Sequence, residues 1–330
     1  MLRRRLARSC LLVSLALPSV AAAHHGVASL GVAGLEGPGA PIETSSSATL
    51  PQGKFLGYLK LDYARFEKYT PERDAEGDYS AFWMYGVGYG ARPWLSLYLF
   101  SPFYTKKAED NSYNTSGFAD LSATGVFGFK YDEGLRLVPP KESLDDMEDW
   151  HFTIYGGLSL PTGDANIKDG GGTIDPGMSL GFGRPSFSGG LTATKQLASR
   201  WTWVFDASLI RFSEYEYDDG VKIRFGDERR LNTALALRFL TAESRKLRLD
   251  GNLEANFLSL GRDEAGGAGE PATGGSMIYA VPGFRLYLEN TSVGIGVKVP
   301  AWTDLNESDD QQGAEGKEDY RALFSFSVIL

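Results

Sequence analysis

Apolar and polar side chains alternate along most of the chain that follows residue 50. In residues 246–257, Leu247, Leu249 and Leu253 share one parity, whereas charged residues and asparagines fill the other. Wound as a helix, this segment would spread both sets around its whole surface and would have no apolar stripe to bury. The alternation therefore predicts β-strands with one apolar face and one polar face.

The same period of two recurs in twelve segments. The predicted strands cover residues 54–67, 78–90, 93–105, 118–131, 150–161, 185–196, 200–213, 226–240, 245–259, 276–289, 291–301 and 319–330. Their lengths suit a membrane crossing, because a tilted strand needs about 9–11 residues to span the hydrocarbon layer. The chain after residue 50 has no apolar run long enough for a transmembrane helix.

The connections between the predicted strands alternate between short and long ones. Short connections are typical of the periplasmic side of outer-membrane barrels and long ones of the extracellular side, whereas a soluble β-sandwich has no reason to alternate them. Residues 132–149 are the exception, because they fall where a short connection is expected. The predicted fold is an all-β, transmembrane antiparallel β-barrel of about 12 strands that covers residues 51–330, with short periplasmic turns and long extracellular loops.

The first 23 residues have the composition of a secretory signal peptide. Four arginines precede the apolar stretch from Leu11 to Leu17, and an Ala-x-Ala cleavage site ends at Ala23. We expect cleavage near Ala23 and location in the outer membrane of a Gram-negative bacterium. Residues 24–50 are rich in small residues and lie outside the alternation. A flexible periplasmic tail is the simpler interpretation of this segment, and a plug that enters the barrel is the alternative.

Composition narrows the possible functions. The net charge of −9 argues against nucleic-acid binding, which normally requires a basic face. The single cysteine, Cys10, excludes a disulfide scaffold and any multi-cysteine metal site. We expect no cofactor. The expected partners are outer-membrane lipid and lipopolysaccharide, the barrel-assembly machinery and small-molecule solutes.

Several short motifs resemble those of a known family. Residues 160–164 read Leu-Pro-Thr-Gly-Asp, residues 281–287 read Val-Pro-Gly-Phe-Arg-Leu-Tyr, and residues 297–300 read Val-Lys-Val-Pro. A further strand begins with Gly-Phe-Ala-Asp-Leu-Ser at residues 117–122. Over residues 117–330 the chain resembles the outer-membrane transporters linked to the meta-cleavage pathway of phenol degradation. The resemblance implies a barrel and the passage of small molecules, without a defined substrate.

The polar parity of the strands supplies candidates for the substrate path. The side chains predicted to line the lumen are Lys60, Asp62, Trp94, Tyr98, Phe100, Tyr155, Arg238, Arg248, Asp250, Glu254, Tyr279, Arg285 and Tyr287. Charges of both signs argue against a selectivity ring of one sign. The aromatic faces suit planar or apolar solutes. These residues predict a channel for small solutes, by passive or facilitated diffusion, that favours hydrophobic or aromatic compounds.

Other functions remain open at this point. Charges that pair across the lumen and aromatic rings that fill it would give a non-conducting structural or adhesin-like barrel. A mature chain that begins with His24 and His25 could bind copper, nickel or zinc, which would indicate a porin for metal handling. We do not expect an enzyme, because the only histidine of the barrel region, His151, falls at the predicted periplasmic end of a strand between two aromatic residues.

Overall fold

The computed structural model describes residues 39–67, 77–108, 114–140, 147–306 and 317–330. Within these residues, twelve long strands form one closed antiparallel sheet. The strands are β1 (Phe55–Phe66), β2 (Gly77–Arg92), β3 (Leu95–Ala108), β4 (two pieces, Asn114–Phe118 and Leu121–Tyr131), β5 (Trp150–Leu160), β6 (Ser186–Ala198), β7 (Trp201–Arg211), β8 (Glu228–Ala242), β9 (Leu247–Leu260), β10 (Gly275–Leu288), β11 (Thr291–Leu305) and β12 (Glu318–Ile329). The predicted twelve-stranded barrel is confirmed.

The sheet closes between its first and last strands. Each strand pairs with the next one along the chain, and β12 returns to pair with β1, so that Leu56 lies opposite Ile329 and Tyr63 opposite Ala322. Closure matters in lipid, because an open edge would leave backbone N–H and C=O groups without hydrogen-bond partners. Among the described residues, no helix is long and apolar enough to cross a membrane.

The two faces of each strand differ in exposure as the alternation predicts. On β9, Leu253 points outward and is 63% exposed, whereas Asp250 and Glu254 point inward and are almost fully buried. On β1, Lys60 and Asp62 are likewise buried inside the barrel. Apolar side chains therefore cover the outside of the barrel, where lipid would contact them, and polar side chains face the lumen.

The two ends of the barrel carry different connections. At one end, which we assign to the periplasm because its turns are short, residues 93–94 and 289–290 join neighbouring strands. At the other end, the loops after β7 and β9 form a separate four-stranded sheet over an apolar cluster that includes Phe212, Tyr217 and Phe225. The strands of this sheet are Tyr215–Glu216, Lys222–Arg224, Glu264–Ala265 and Ala268–Gly269.

The long connection between β4 and β5 folds back onto the barrel. Its strand Leu135–Leu137 pairs with the end of β4, and the N–H of Val138 donates to the carbonyl oxygen of Gly128 at 3.2 Å. Met147, near its end, is buried in the same apolar cluster as the lumen residues Tyr98 and Phe100. The described parts of this connection therefore pack against the periplasmic end of the lumen.

Candidate functional site

The lumen contains the chain segment that precedes β1. Residues 40–50 are buried, and their hydrogen bonds go to side chains that point into the barrel. The described part of the N-terminal segment, residues 39–50, therefore lies inside the barrel. The sequence pattern favours a tail because small and hydroxyl residues bury little apolar surface. Hydrogen bonds to the lumen side chains hold the segment instead.

Glu254 on β9 is the main anchor of this segment. Its carboxylate accepts the backbone N–H groups of Ile42 at 2.6 Å, Glu43 at 3.1 Å and Thr44 at 2.7 Å. The hydroxyl of Thr44 donates to the same carboxylate at 2.7 Å. A buried carboxylate is costly unless donors surround it, and here the N-terminal segment supplies those donors.

Two basic side chains hold the segment beside Glu254. The guanidinium of Arg285 on β10 donates to the carbonyl oxygens of Ala40 at 3.1 Å and Pro41 at 2.7 Å. The ammonium of Lys60 forms a buried ion pair with Glu43 at 3.1 Å. Gly283 on β10 leaves room for Ile42, because a Cβ atom there would lie 2.6 Å from the Ile42 side chain.

The second half of the segment runs along a different part of the wall. The N–H of Ser47 donates to the Thr194 hydroxyl at 2.9 Å, and its own hydroxyl lies 2.7 Å from the hydroxyl of Thr192. The N–H of Leu50 donates to the Ser96 hydroxyl at 2.8 Å near the periplasmic end of β3. The segment therefore enters the lumen, contacts Glu254, and returns toward β1.

One arc of the lumen wall, formed by β1 and β8–β12, is rich in paired charges. Arg321 donates to Asp62 at 3.2 Å and to Glu318 at 2.9 Å, and all three side chains are buried. On β8, Arg230 pairs with the buried Glu228 at 3.0 Å. Because these charges are paired within the wall, the described side chains of this arc do not form a ring of one sign.

The other arc, formed by β2–β5, is aromatic and apolar. The rings of Tyr98 and Phe100 stack with their centroids 6.0 Å apart. They lie flat against β2 because that strand has glycines at 86 and 88, where a Cβ atom would come within 2.6 Å of the rings. The apolar cluster on this arc also includes residues of the N-terminal segment, of β1 and of the connection before β5; its members are Ala48, Leu50, Leu56, Tyr58, Phe82, Met84, Tyr98, Phe100, Val126, Met147 and Tyr155. We call it the aromatic wall.

Most side chains predicted to line the lumen do point inward. Those that are buried are Lys60, Asp62, Tyr98, Phe100, Tyr155, Asp250, Glu254, Tyr279 and Arg285; Arg238, Arg248 and Tyr287 are half-buried. Three of them meet: Arg248 donates to Asp250 at 2.7 Å and lies over the ring of Tyr287. Tyr155 donates to Asp206 at 2.9 Å, and Lys298 lies over the ring of Tyr279.

The prediction for Trp94 is wrong. This residue lies in the turn between β2 and β3, and its ring stacks on that of Phe127, 6.1 Å between centroids. Phe127 is 44% exposed on the outer face of β4. The parity of a strand does not extend into a two-residue turn, where the chain reverses, so Trp94 joins the outer surface instead of the lumen.

Two of the motifs from the sequence meet at the extracellular end of the aromatic wall. β4 is interrupted at Asp120, whose carboxylate accepts the N–H groups of Gly163 at 2.8 Å and Phe182 at 3.0 Å. The motif at residues 117–122 is therefore joined, through Asp120, to the motif at residues 160–164 and to the loop that follows it. In that loop, burial raises the pKa of Asp175, and the N–H of Gly177 opposes this shift.

Several residues of the lumen were not singled out from the sequence. Arg230 and Arg321 lie on the inward parity of their strands, so the alternation itself was the signal that could have found them. Glu318 has the opposite parity to Arg321 and is buried because the pairing of β12 with β1 shifts register there, which the alternation does not predict. His24 and His25 lie outside the described residues. Within the described ranges, no group of three or more histidine, cysteine or acidic side chains is placed to hold a metal ion.

Comparison with known proteins agrees with this geometry. The chain matches the family model described as "Putative MetA-pathway of phenol degradation" over residues 44–299. No curated protein matches the chain. Among solved structures, the chain is similar to an outer membrane channel from Pseudomonas putida F1, with a TM-score of 0.65 and 13% identity over 88% of this chain and 100% of that one.

Two further structures share less of the geometry. The β-domain of the Bordetella autotransporter BrkA has a TM-score of 0.43 and 10% identity over 84% of this chain and 98% of its own. The NanC porin also has a TM-score of 0.43, with 9% identity over 82% of this chain and 98% of its own. The family match covers most of the chain, and the chain therefore belongs to the family of the MetA pathway of phenol degradation, with the fold of an outer-membrane β-barrel.

Proposed function

We propose that this protein is an outer-membrane channel through which small solutes diffuse, and that it favours aromatic or apolar solutes over sugars. The observation that carries the proposal is the division of the lumen into two arcs. The aromatic wall runs from Phe82 and Met84, toward the extracellular side, to Leu50 in the N-terminal segment. A planar solute can move along such a surface by exchanging one ring contact for the next.

The arc formed by β1 and β8–β12, which is rich in paired charges, supports the proposal in a different way. Its carboxylates and basic groups are occupied by one another or by the N-terminal segment. A solute that carries little charge would gain nothing from this arc and would follow the aromatic wall. A sugar, whose hydroxyl groups are hydrated all around its ring, would have to give up water without receiving equivalent hydrogen bonds, which is costly.

The N-terminal segment controls the width of this path in our proposal. Residues 39–50 contact both arcs, through Glu254 on one side and through Ala48 and Leu50 on the other. Many of the contacts are hydrogen bonds, which water can replace when the segment moves. Solute passage then requires displacement of the segment from Glu254 and the aromatic wall.

The proposal includes export and placement of the chain. Residues 1–23 would direct the chain across the inner membrane and be removed near Ala23. The barrel-assembly machinery would insert the barrel, with lipid and lipopolysaccharide around its apolar outer face. His24 and His25 would then begin the mature chain, and metal titration of protein with and without these two residues tests the metal-handling alternative.

A closed structural barrel is the second candidate, because paired charges and packed rings also suit a filled lumen. Uptake of benzoate and of a sugar of similar size into liposomes that contain the refolded protein separates the two candidates. Protein-free liposomes provide the rate of leakage through lipid, which is subtracted. Faster protein-dependent uptake of benzoate supports the proposed channel. Equal uptake would indicate a general pore, and no uptake of either solute would favour the closed barrel.

A further inference from the structure

A cleft lies at the extracellular end of the aromatic wall, between the strands and the loop that follows β5. The cleft is partly open to solvent, and side chains of both the strands and the loop line it. Its strand side is formed by inward-facing residues of β2–β5, and its roof by residues 176–182. The lining that matters here is Phe82, Met84, Tyr104, Lys106, Ser179 and Phe182.

Two polar side chains of the wall hold the roof in place. Asp120 accepts the N–H of Phe182 at the end of the roof. Lys106 donates to the carbonyl oxygens of Gly177 at 2.8 Å and Ser179 at 2.6 Å. The cleft is therefore a built feature, in which the roof is bonded to the strands at two separate points.

The apolar part of the cleft has the geometry of an aromatic site. The ring of Tyr104 packs edge-on against that of Phe82, with 5.1 Å between centroids. Phe182 contributes to the lining from the roof, where its ring also packs on Phe212. Edge-on pairs leave ring faces available for a further planar group, and a bound ring would gain contact area on several sides. Met84 adds an adaptable apolar side chain at the base of the cleft.

The main hydrogen-bond donor in the polar part of the cleft is the side chain of Lys106. The Lys106 ammonium lies 4.8 Å from the centre of the Tyr104 ring, and its two hydrogen-bond acceptors are neutral carbonyl oxygens. The nearby carboxylates of Asp120 and Asp175 accept backbone N–H groups, which offset part of their charge. An anionic group in the cleft would favour the charged form of this buried side chain and would accept a hydrogen bond from it beside an aromatic surface.

From this arrangement we propose that the cleft binds a monocyclic aromatic carboxylate on its way into the channel. The ring lies between Phe82, Tyr104 and Phe182, and the carboxylate accepts a hydrogen bond from Lys106. This inference rests on the proposed channel function and names the solute class that its extracellular end selects. A neutral aromatic compound would use the ring contacts alone, and a sugar would find few donors for its hydroxyl groups.

Ligand-observed NMR on the detergent-solubilised full-length protein tests the inference, with benzoate, benzyl alcohol and glucose as probes. We expect benzoate to bind more tightly than benzyl alcohol, and glucose not to bind at the cleft. Lys106→Met should weaken benzoate binding about tenfold more than it weakens benzyl alcohol binding, because only benzoate loses a charge-assisted hydrogen bond, whereas any loosening of the roof affects both probes. Tyr104→Leu should weaken both aromatic probes.

The neighbouring lysine provides a matched control. Lys107 follows Lys106 on β3 but belongs to the opposite parity, with its ammonium over the Tyr79 ring, so Lys107→Met should leave all three affinities unchanged. Lys106→Arg retains the charge and should still bind benzoate more tightly than benzyl alcohol. This variant distinguishes the effect of losing the charge from the effect of a damaged fold. Heat-dependent gel mobility confirms that each variant is folded.

The outcomes are distinct from those of the channel test. Benzoate binding that is unchanged in folded Lys106→Met, or equal binding of benzoate and benzyl alcohol to the unsubstituted protein, would overturn the cleft proposal. Either result could accompany normal solute uptake into liposomes, which would leave the channel function standing. Specific binding of benzoate that depends on Lys106, without any uptake, would support the cleft and contradict the channel.

Discussion

Glu254 and Thr44, separated by 210 residues in the chain, are joined by two hydrogen bonds of 2.7 Å inside the barrel. One comes from the backbone N–H of Thr44 and the other from its hydroxyl. Together with the N–H groups of Ile42 and Glu43, they surround one carboxylate with donors from a single short segment. The position of the N-terminal segment in the lumen therefore depends strongly on one side chain of β9.

Glu254→Gln should release this segment more often. The amide would place N–H groups against the backbone donors of residues 42–44, and the charge-assisted hydrogen bonds would be lost, at a cost of about 1.5–3 kcal/mol. We expect larger and more frequent conductance steps in planar bilayers than with the unsubstituted protein. Glu289→Gln, at an exposed periplasmic turn, is the control and should not change the steps. Identical conductance of the two variants would contradict the anchoring role of Glu254.

The aromatic wall should determine solute preference. Phe100→Leu keeps an apolar side chain but removes the ring that stacks on Tyr98. We expect the ratio of benzoate uptake to sugar uptake in liposomes to fall about threefold or more, because aromatic contacts are worth about 0.5–1.5 kcal/mol beyond burial of area. Phe127→Leu, on the outer face, should leave the ratio unchanged. A ratio that falls in both variants, or in neither, would rule out a specific role for the wall.

The outward parity of β9 predicts a cost for a charge at Leu253. This side chain is 63% exposed on the outer face of the barrel, and an arginine that faces lipid near the membrane midplane costs about 2–4 kcal/mol. Urea unfolding of Leu253→Arg in liposomes should show this loss in the free energy of unfolding. Val221→Arg, in an extracellular loop, should be close to neutral. Equal stability of the two variants would place Leu253 away from lipid.

Asp120 should control the order of the loop above the aromatic wall. In Asp120→Asn, the carboxylate that accepts the N–H groups of Gly163 and Phe182 is replaced by an amide. We expect these two amide hydrogens to exchange with solvent about tenfold faster or more, because local opening becomes easier. Asp219→Asn, in the next extracellular loop, should leave both rates unchanged. Unchanged exchange in Asp120→Asn would mean that other contacts hold the loop.

The strands and their faces could be predicted because the period of two is a local property of the sequence. Leu253 and Glu254 differ in exposure for the same reason that adjacent side chains of any strand point to opposite faces. Closure of the sheet followed from the number and length of the strands, since an open edge is not tolerated in lipid. No knowledge of distant contacts was required for either conclusion.

The place of the N-terminal segment could not be predicted in this way. Its hydroxyl and glycine residues resemble those of a flexible linker, and its partners, Glu254 and Arg285, are more than 200 residues away in sequence. A buried carboxylate on an inward parity does require donors, but the pattern does not show where they come from. Trp94 was misplaced because strand parity does not extend into a turn.

The alternation of apolar and polar residues does not predict the cleft either. Lys106 lies near the end of β3, beyond the predicted strand. Its hydrogen-bond acceptors belong to a loop whose conformation the sequence pattern does not predict. The motifs around Asp120 and Gly163 indicated a family but not that they contact each other. Their contact depends on the interruption of β4, which is a tertiary feature.

Movement of the N-terminal segment is the central claim, and a reversible disulfide tests it most directly. The hydroxyl oxygens of Ser47 and Thr192 are 2.7 Å apart, so cysteines at these positions are close enough for a disulfide. The sequence has one cysteine, Cys10, which lies in the predicted signal peptide. Benzoate uptake into liposomes with the Ser47→Cys/Thr192→Cys protein should be slow when it is oxidised and recover on reduction, whereas Ser47→Cys alone should not respond. Equal uptake by the oxidised and reduced protein would show that solutes pass without movement of the segment and would contradict the account.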